Sequence, residues 1–144
     1  MMVIEESILI NTDLEKIWKV FTDLTCWNNW NSVITNACCD DQCLAHGTVI
    51  TCCFRPFSFP INAQIKVNKV VPNECVTWSV RKKGFFANHE FLFQRKEQGI
   101  MVTSRETFTG LLVRLFGFLF PKKRMRALTT AFLNDLKMAS ESYM

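Results

Sequence analysis

The sequence predicts an α+β domain in which a curved antiparallel sheet of about seven strands wraps around one long C-terminal helix. Three observations predict it. Six successive runs rich in β-branched and aromatic residues lie between residues 33 and 109, separated by mostly hairpin-length gaps, which favours antiparallel pairing. Met125, Leu128, Phe132, Leu136 and Ala139 then recur every three or four residues, the spacing of an amphipathic helix. An antiparallel sheet needs its apolar face covered, and this helix is the one element large enough to do it.

The elements follow in order. Val3 to Ile10 reads as a first strand. Thr12 starts a helix, with Thr12 and Glu15 forming a capping box and Leu14, Ile17, Trp18 and Phe21 on one apolar stripe. Asp23 to Trp30 is turn-rich and reads as a second short helix, with Trp27 and Trp30 one turn apart. The six strands are Val33–Cys39, Thr48–Phe54, Ile61–Val71, Glu74–Arg81, Phe85–Lys96 and Gly99–Thr109, punctuated by Asp, Pro, Asn and Gly clusters. From Leu111 the pattern turns helical. Pro121 ends that piece and serves as the first-turn proline of the final helix.

The chain has 144 residues, which suits a single domain over residues 1–144. Its longest apolar stretch, Leu111 to Phe120, is broken by Arg114 and is too short to span a bilayer, which takes about 20 residues. The amino terminus has early acids and no basic leader, so no signal peptide is expected and a cytoplasmic location is. Seven cysteines, an odd number, then read as reduced thiols. Lys and Arg number 17 against 13 for Asp and Glu, and the excess is concentrated. Arg114, Lys122, Lys123, Arg124 and Arg126 lie in one acid-free segment, and the rest of the chain is close to neutral. With its aromatics predicted inward and its basic residues local, the chain does not read as a nucleic-acid binder.

An ordered set of short motifs resembles the SRPBCC superfamily of helix-grip proteins, which includes START lipid-transfer domains, birch-pollen-allergen-like proteins and polyketide cyclase/dehydrase-like proteins. The residues are Thr12–Asp13–Leu14–Glu15 with Ile17–Trp18, then Thr22–Asp23–Leu24 before Trp27 and Trp30. His46–Gly47–Thr48 and Val70–Val71–Pro72 leading to Trp78 follow. The strongest part is His89-x-Phe91-x-Phe93, then Gly99, Val102–Thr103 and Glu106-x-Phe108-x-Gly110–Leu111, closed by Leu136–Lys137 and Glu141. The resemblance implies a helix-grip fold with an internal cavity for apolar molecules. It implies no single activity, because the superfamily mixes binders, transfer proteins and cyclases.

Hairpin arithmetic maps the inner face. A four-residue Lys96–Gly99 loop sets Phe93 opposite Val102, Phe91 opposite Ser104 and His89 opposite Glu106. A four-residue Arg81–Gly84 loop sets Val80 opposite Phe85, Trp78 opposite Ala87 and Val76 opposite His89. A two-residue Pro72–Asn73 turn sets Val67 opposite Trp78 and Ile65 opposite Val80. These residues share one apolar face, and Lys66, Thr77, Ser79, Arg81, Glu90, Gln94, Thr103 and Arg105 share the other. His89 and Glu106 are therefore expected inside, across from each other. They read as a polar handle for a ligand, as an acid–base pair, or as a self-satisfied structural pair.

Two other clusters need weighing. Cys38, Cys39, Cys43, Cys52 and Cys53 invite a zinc reading. If Cys39 lies opposite about Thr48 and Cys52 and Cys53 opposite Val33 or Ile34, however, the thiols are spread along the ladder, and no metal is assigned. The segment Leu111 to Arg126 is aromatic and then basic. It is either a membrane-contacting element, through Phe118, Lys122, Lys123 and Arg124, or a lid packed on the sheet.

The function expected is binding, and in one form transport, of a small hydrophobic or lipid-like ligand between sheet and C-terminal helix. Ile65, Val67, Trp78, Phe91, Phe93 and Phe132 would line the wall and His89 and Glu106 would orient the ligand. No cofactor is expected. One alternative is a cyclase- or dehydratase-like enzyme using His89 and Glu106 as acid and base. Another is an interaction module with a vestigial cavity. Oligomeric state is left open.

Overall fold

The computed structural model describes residues 1–56 and 59–142. Strands β1 (Met2–Ile10), β2 (Thr35–Cys38), β3 (Val49–Phe54), β4 (Ile61–Val71), β5 (Cys75–Lys82), β6 (Phe85–Lys96) and β7 (Gly99–Thr109) form one antiparallel sheet in the order β1-β7-β6-β5-β4-β3-β2. Helices α1 (Leu14–Thr22) and α2 (Trp27–Trp30), with a tight turn at Leu24–Cys26 between them, link β1 to β2. After β7 come α3 (Leu111–Phe116), a tight turn at Gly117–Leu119, and the long α4 (Lys122–Ser142). This is the expected helix-grip arrangement. No helix among the described residues is long and apolar enough to cross a membrane.

Strands β2 to β7 follow one another as hairpins, whereas β1 crosses to the far edge and pairs with β7, Met2 opposite Phe108 through Ile10 opposite Ile100. The α4 helix is clamped along β1. The Lys137 Nζ donates to the Leu9 carbonyl at 2.9 Å, Glu141 accepts the Asn11 N–H at 2.9 Å, and Arg126 meets Glu6 at 2.6 Å. Its inward stripe is Met125, Thr129, Phe132, Leu133, Leu136 and Ser140. Between helices and sheet sits an aromatic centre in which Phe21 of α1 stacks on Trp78 and meets Phe91, Phe93 and Phe132 edge-on.

The β6–β7 register is as the arithmetic has it, including His89 opposite Glu106. The β5–β6 register is not. Lys82 pairs with Phe85 across a two-residue Lys83–Gly84 turn, so Trp78, and not Val76, lies opposite His89. Gly84 supplies the positive φ, +76°, that such a tight turn favours. The slip is two residues, so every side chain keeps its predicted face. Between β4 and β5 the turn has three residues, with Val71 opposite Cys75. An irregularity at Asn68 takes up the extra residue, and Val67–Trp78 and Ile65–Val80 pair as expected.

Two smaller expectations are corrected. The capping box does not form. Asp13 is the N-cap of α1, its carbonyl receiving the Lys16 and Ile17 N–H groups, and Glu15 reaches instead to Arg95 at 3.6 Å. In β2, Cys38 lies opposite Thr51 and Thr35 opposite Cys53, displaced from the predicted pairing by an irregularity that includes Asn36 at φ +51°.

Gly110 turns the chain from β7 into α3 at φ +116°. A Cβ there would stand 2.6 Å from the Gly84 carbonyl oxygen, which also accepts the Leu112 N–H. Gly110→Ala is therefore expected to cost about 2 kcal/mol, from backbone strain and displacement of the β5–β6 turn. Urea denaturation checks this, and an unchanged midpoint would show that the corner is not tight.

Candidate functional site

His89 on β6 and Glu106 on β7 project from one hairpin into the space under α4. The His89 Nδ1 lies 3.3 Å from Glu106 Oε2, with both side chains about one-seventh exposed, at 13% and 14%. On the other side of the ring, His89 Nε2 lies 2.6 Å from the hydroxyl of Ser104, which is fully buried. The imidazole also stacks on Phe91 at 4.2 Å and meets the edge of Trp78 at 5.5 Å. Strand geometry explains the triad: Ser104 and Glu106 are two apart on β7 and share a face, and His89 faces both from β6.

Burial sets the charge state. Desolvation pushes the Glu106 carboxyl up to about 7 and the His89 imidazole down to about 3. Both directions favour a neutral imidazole and, below neutral pH, a protonated carboxyl, and in that form the pair holds one proton, on Glu106. Glu106 then donates to Nδ1, and the Nε2–H donates to Ser104 Oγ. The second carboxyl oxygen is left as an acceptor.

The pair borders a cavity of about 80 Å³ between the sheet and α4, walled by Ile65, Trp78, Val80, Cys52, Met125, Thr129 and Phe132 among others. A second, larger cavity of about 390 Å³ lies under α3, walled by Ile61, Phe85, Val113, Phe116, Leu119 and Phe120 among others. Phe54, Val80 and Met125 belong to both walls, so the two spaces adjoin.

Five of the eight residues expected at the site, Ile65, Trp78, His89, Glu106 and Phe132, border the inner cavity. Val67, Phe91 and Phe93 do not. They face inward as expected, but the aromatic centre around Phe21 fills the space above them. Ser104 is the residue that sequence reasoning passed over. Its pairing with Phe91 already placed it on the inner face, where a small hydroxyl beside an imidazole is conspicuous. The outer cavity was not foreseen either, because α3 contributes much of its wall.

The segment after β7 divides its aromatic residues. Phe120 packs on Phe85 and Phe108, while Phe118 is 83% exposed and Lys122, Lys123 and Arg124 are exposed. All seven cysteines are free thiols. Among the described residues no three or more His, Cys, Asp or Glu side chains converge as a metal site would require. Cys52 borders the inner cavity, but burial pushes its thiol up to about 11, which leaves it a poor nucleophile at neutral pH.

A family profile described as polyketide cyclase / dehydrase and lipid transport matches residues 1–141. No curated protein matches the chain. Solved structures share its fold at low identity. A Thermus thermophilus protein superposes with a TM-score of 0.80 at 12% identity, over 98% of both chains. The di-domain ARO/CYC protein StfQ from the steffimycin biosynthetic pathway gives 0.75 at 11% identity, over 96% of this chain and 50% of StfQ. Norcoclaurine synthase from Thalictrum flavum, solved with dopamine and hydroxybenzaldehyde, gives 0.72 at 13% identity, over 99% of this chain and 88% of the synthase.

Proposed function

The chain belongs to the polyketide cyclase/dehydrase and lipid transport family of the SRPBCC superfamily, and from that premise we propose that it reversibly binds a small, elongated hydrophobic molecule carrying one polar end. One observation carries this reading: a buried imidazole–carboxyl pair, 3.3 Å apart, faces an otherwise apolar cavity, and that cavity adjoins a larger apolar one. Ligand pockets usually run to about 300–1,000 Å³ and are mostly apolar with a few placed polar groups. The inner space of about 80 Å³ is too small for a whole ligand but suits its polar end. The outer space of about 390 Å³ suits the apolar body. The free oxygen of Glu106 would accept a hydrogen bond from a ligand hydroxyl, with Ser104 holding His89 in the required tautomer.

A fluorescent fatty acid, dansylundecanoic acid, tests the reading. The wild-type protein is expected to bind it with blue-shifted emission. Val80→Phe, which narrows the junction of the two cavities, is expected to weaken binding by about tenfold, or ~1.4 kcal/mol. No binding by the wild type, or unchanged affinity in Val80→Phe, would count against it.

The same pair supports a second reading. A carboxyl held near 7 beside an imidazole is placed to pass a proton near neutral pH, as cyclase- or dehydratase-like chemistry requires. The readings separate on Glu106→Gln: an enzyme loses turnover of a polyketide-type substrate while its affinity for the probe stays within a few-fold.

A further inference from the structure

We propose that the surface formed by α3, the Gly117–Leu119 turn and the start of α4 docks on an anionic lipid bilayer and seats the outer cavity against it. Docking goes beyond the ligand-binding reading and stands on the surface itself.

The first observation is exposed oil. Leu111, Leu112, Leu115, Phe116, Phe118 and Leu119 are 60%, 48%, 57%, 50%, 83% and 69% exposed. So dense a run of exposed large apolar side chains marks an interaction site. The second is its collar. Arg114, Lys122, Lys123 and Arg124 are exposed around it, and no acid occurs in the chain between Glu106 and Asp135. Lys82 and Lys83 add two more cations at the wall of the adjoining cavity. The third is what is missing from residues 111–124: the sequence there has no Ser, Thr, Asn, Gln, Tyr or His.

These features choose the occupant. A protein partner is met with directed hydrogen bonds, about one per 100–200 Å², and protein interfaces are depleted in Lys. This surface offers apolar insertion and diffuse positive charge alone. That is what the boundary of a bilayer takes: acyl chains receive Leu and Phe, and acidic headgroups receive Lys and Arg. Position adds to the argument. Leu112, Phe116 and Leu119 are about half or more exposed on the outside and also wall the outer cavity. These side chains therefore stand between the docking surface and the outer cavity, where a lipid leaving the membrane would enter.

Vesicle co-sedimentation of the full chain tests docking. Wild type is expected to bind phosphatidylcholine vesicles containing about a third phosphatidylserine, and to bind pure phosphatidylcholine far more weakly. R114Q/K122Q/K123Q is expected to lose about a hundredfold, at about five-fold per charge. F118S/L119S is expected to lose at least about tenfold, even at low salt. Circular dichroism would show that both variants keep the fold. The proposal is overturned if wild type ignores the acidic vesicles, if it binds both vesicle types equally, or if either variant binds like wild type. A stable dimer that F118S/L119S dissociates, without vesicle binding, would assign the surface to a second copy and overturn it too. Dansylundecanoic acid binding in the absence of vesicles reports on the cavity separately, so failure of docking and failure of ligand binding are distinguished.

Discussion

Phe21→Ala is expected to destabilise the protein by about 4 kcal/mol and to lower its melting temperature by about 10–15 °C. Phe21 has no exposed surface and lies at the meeting point of three layers. It stacks flat on Trp78 at 5.8 Å, an interplanar angle of 6°, and meets the edges of Phe91 at 4.9 Å and Phe93 at 5.3 Å. It reaches Phe132 of α4 at 6.2 Å and Trp27 at 6.4 Å. Each neighbour is anchored to its own strand or helix, and Trp27 is further pinned because its indole N–H donates to the Phe21 carbonyl at 2.9 Å. The ring of neighbours therefore cannot collapse, and the lost transfer energy is joined by the cost of a cavity. Urea denaturation with an unchanged slope measures the loss. Phe118→Ala, at an 83% exposed site, is the control and should move stability by less than about 0.5 kcal/mol. A Phe21 loss below about 1 kcal/mol would mean that the aromatic centre is soft enough to refill.

The second large effect is one of pH, and it has opposite signs in two variants. Glu106 is raised from 4.5 to about 7 on folding, so its contribution to stability is present below pH 4.5 and is lost as pH rises towards 7. His89 is lowered from 6.5 to about 3, so its contribution is present above pH 6.5 and is lost as pH falls through 3. Between pH 4.5 and 6.5 the unfolded chain carries one proton of the pair on His89, and the folded chain carries one on Glu106. The proton count does not change, the two slopes cancel, and the wild-type pair contributes no pH dependence in that window. Glu106→Gln leaves the imidazole alone, and the variant should gain about 3 kcal/mol relative to wild type from pH 4.5 to 6.5. His89→Gln leaves the carboxyl alone, and that variant should lose about 3 kcal/mol over the same range. Denaturation curves at three pH values measure both slopes. Parallel wild-type and variant profiles would show that neither group is desolvated on folding.

The register of the sheet shows how far pattern reading carries. Its error at β5–β6 was two residues, and alternation has a period of two, so the inner and outer faces survived it. The neighbour of His89 did not: Trp78 occupies the place assigned to Val76, and the desolvating aromatic environment of the imidazole follows from that. The turn at Lys83–Gly84 was too short to infer from composition, since a four-residue reading fits the same residues. At β4–β5, the irregularity at Asn68 cancelled an extra turn residue that the sequence does not mark.

What the sequence determined by itself was local and periodic: the order of strands, the inward face, the meeting of His89 with Glu106, and the amphipathic closing helix. These follow from alternation and helical spacing, which a chain carries in every window of a few residues. Only the tertiary structure decided which inward residues meet space and which meet another side chain. Phe21 arrives from α1, far away in sequence, and turns Val67, Phe91 and Phe93 into solid core. The approach of α3 to the β5–β6 turn at Gly84 and Gly110 creates the outer cavity, and the pairing of β1 with β7 sets the line along which α4 lies. Volume is a property of distant elements packed together, and no short stretch of sequence contains it.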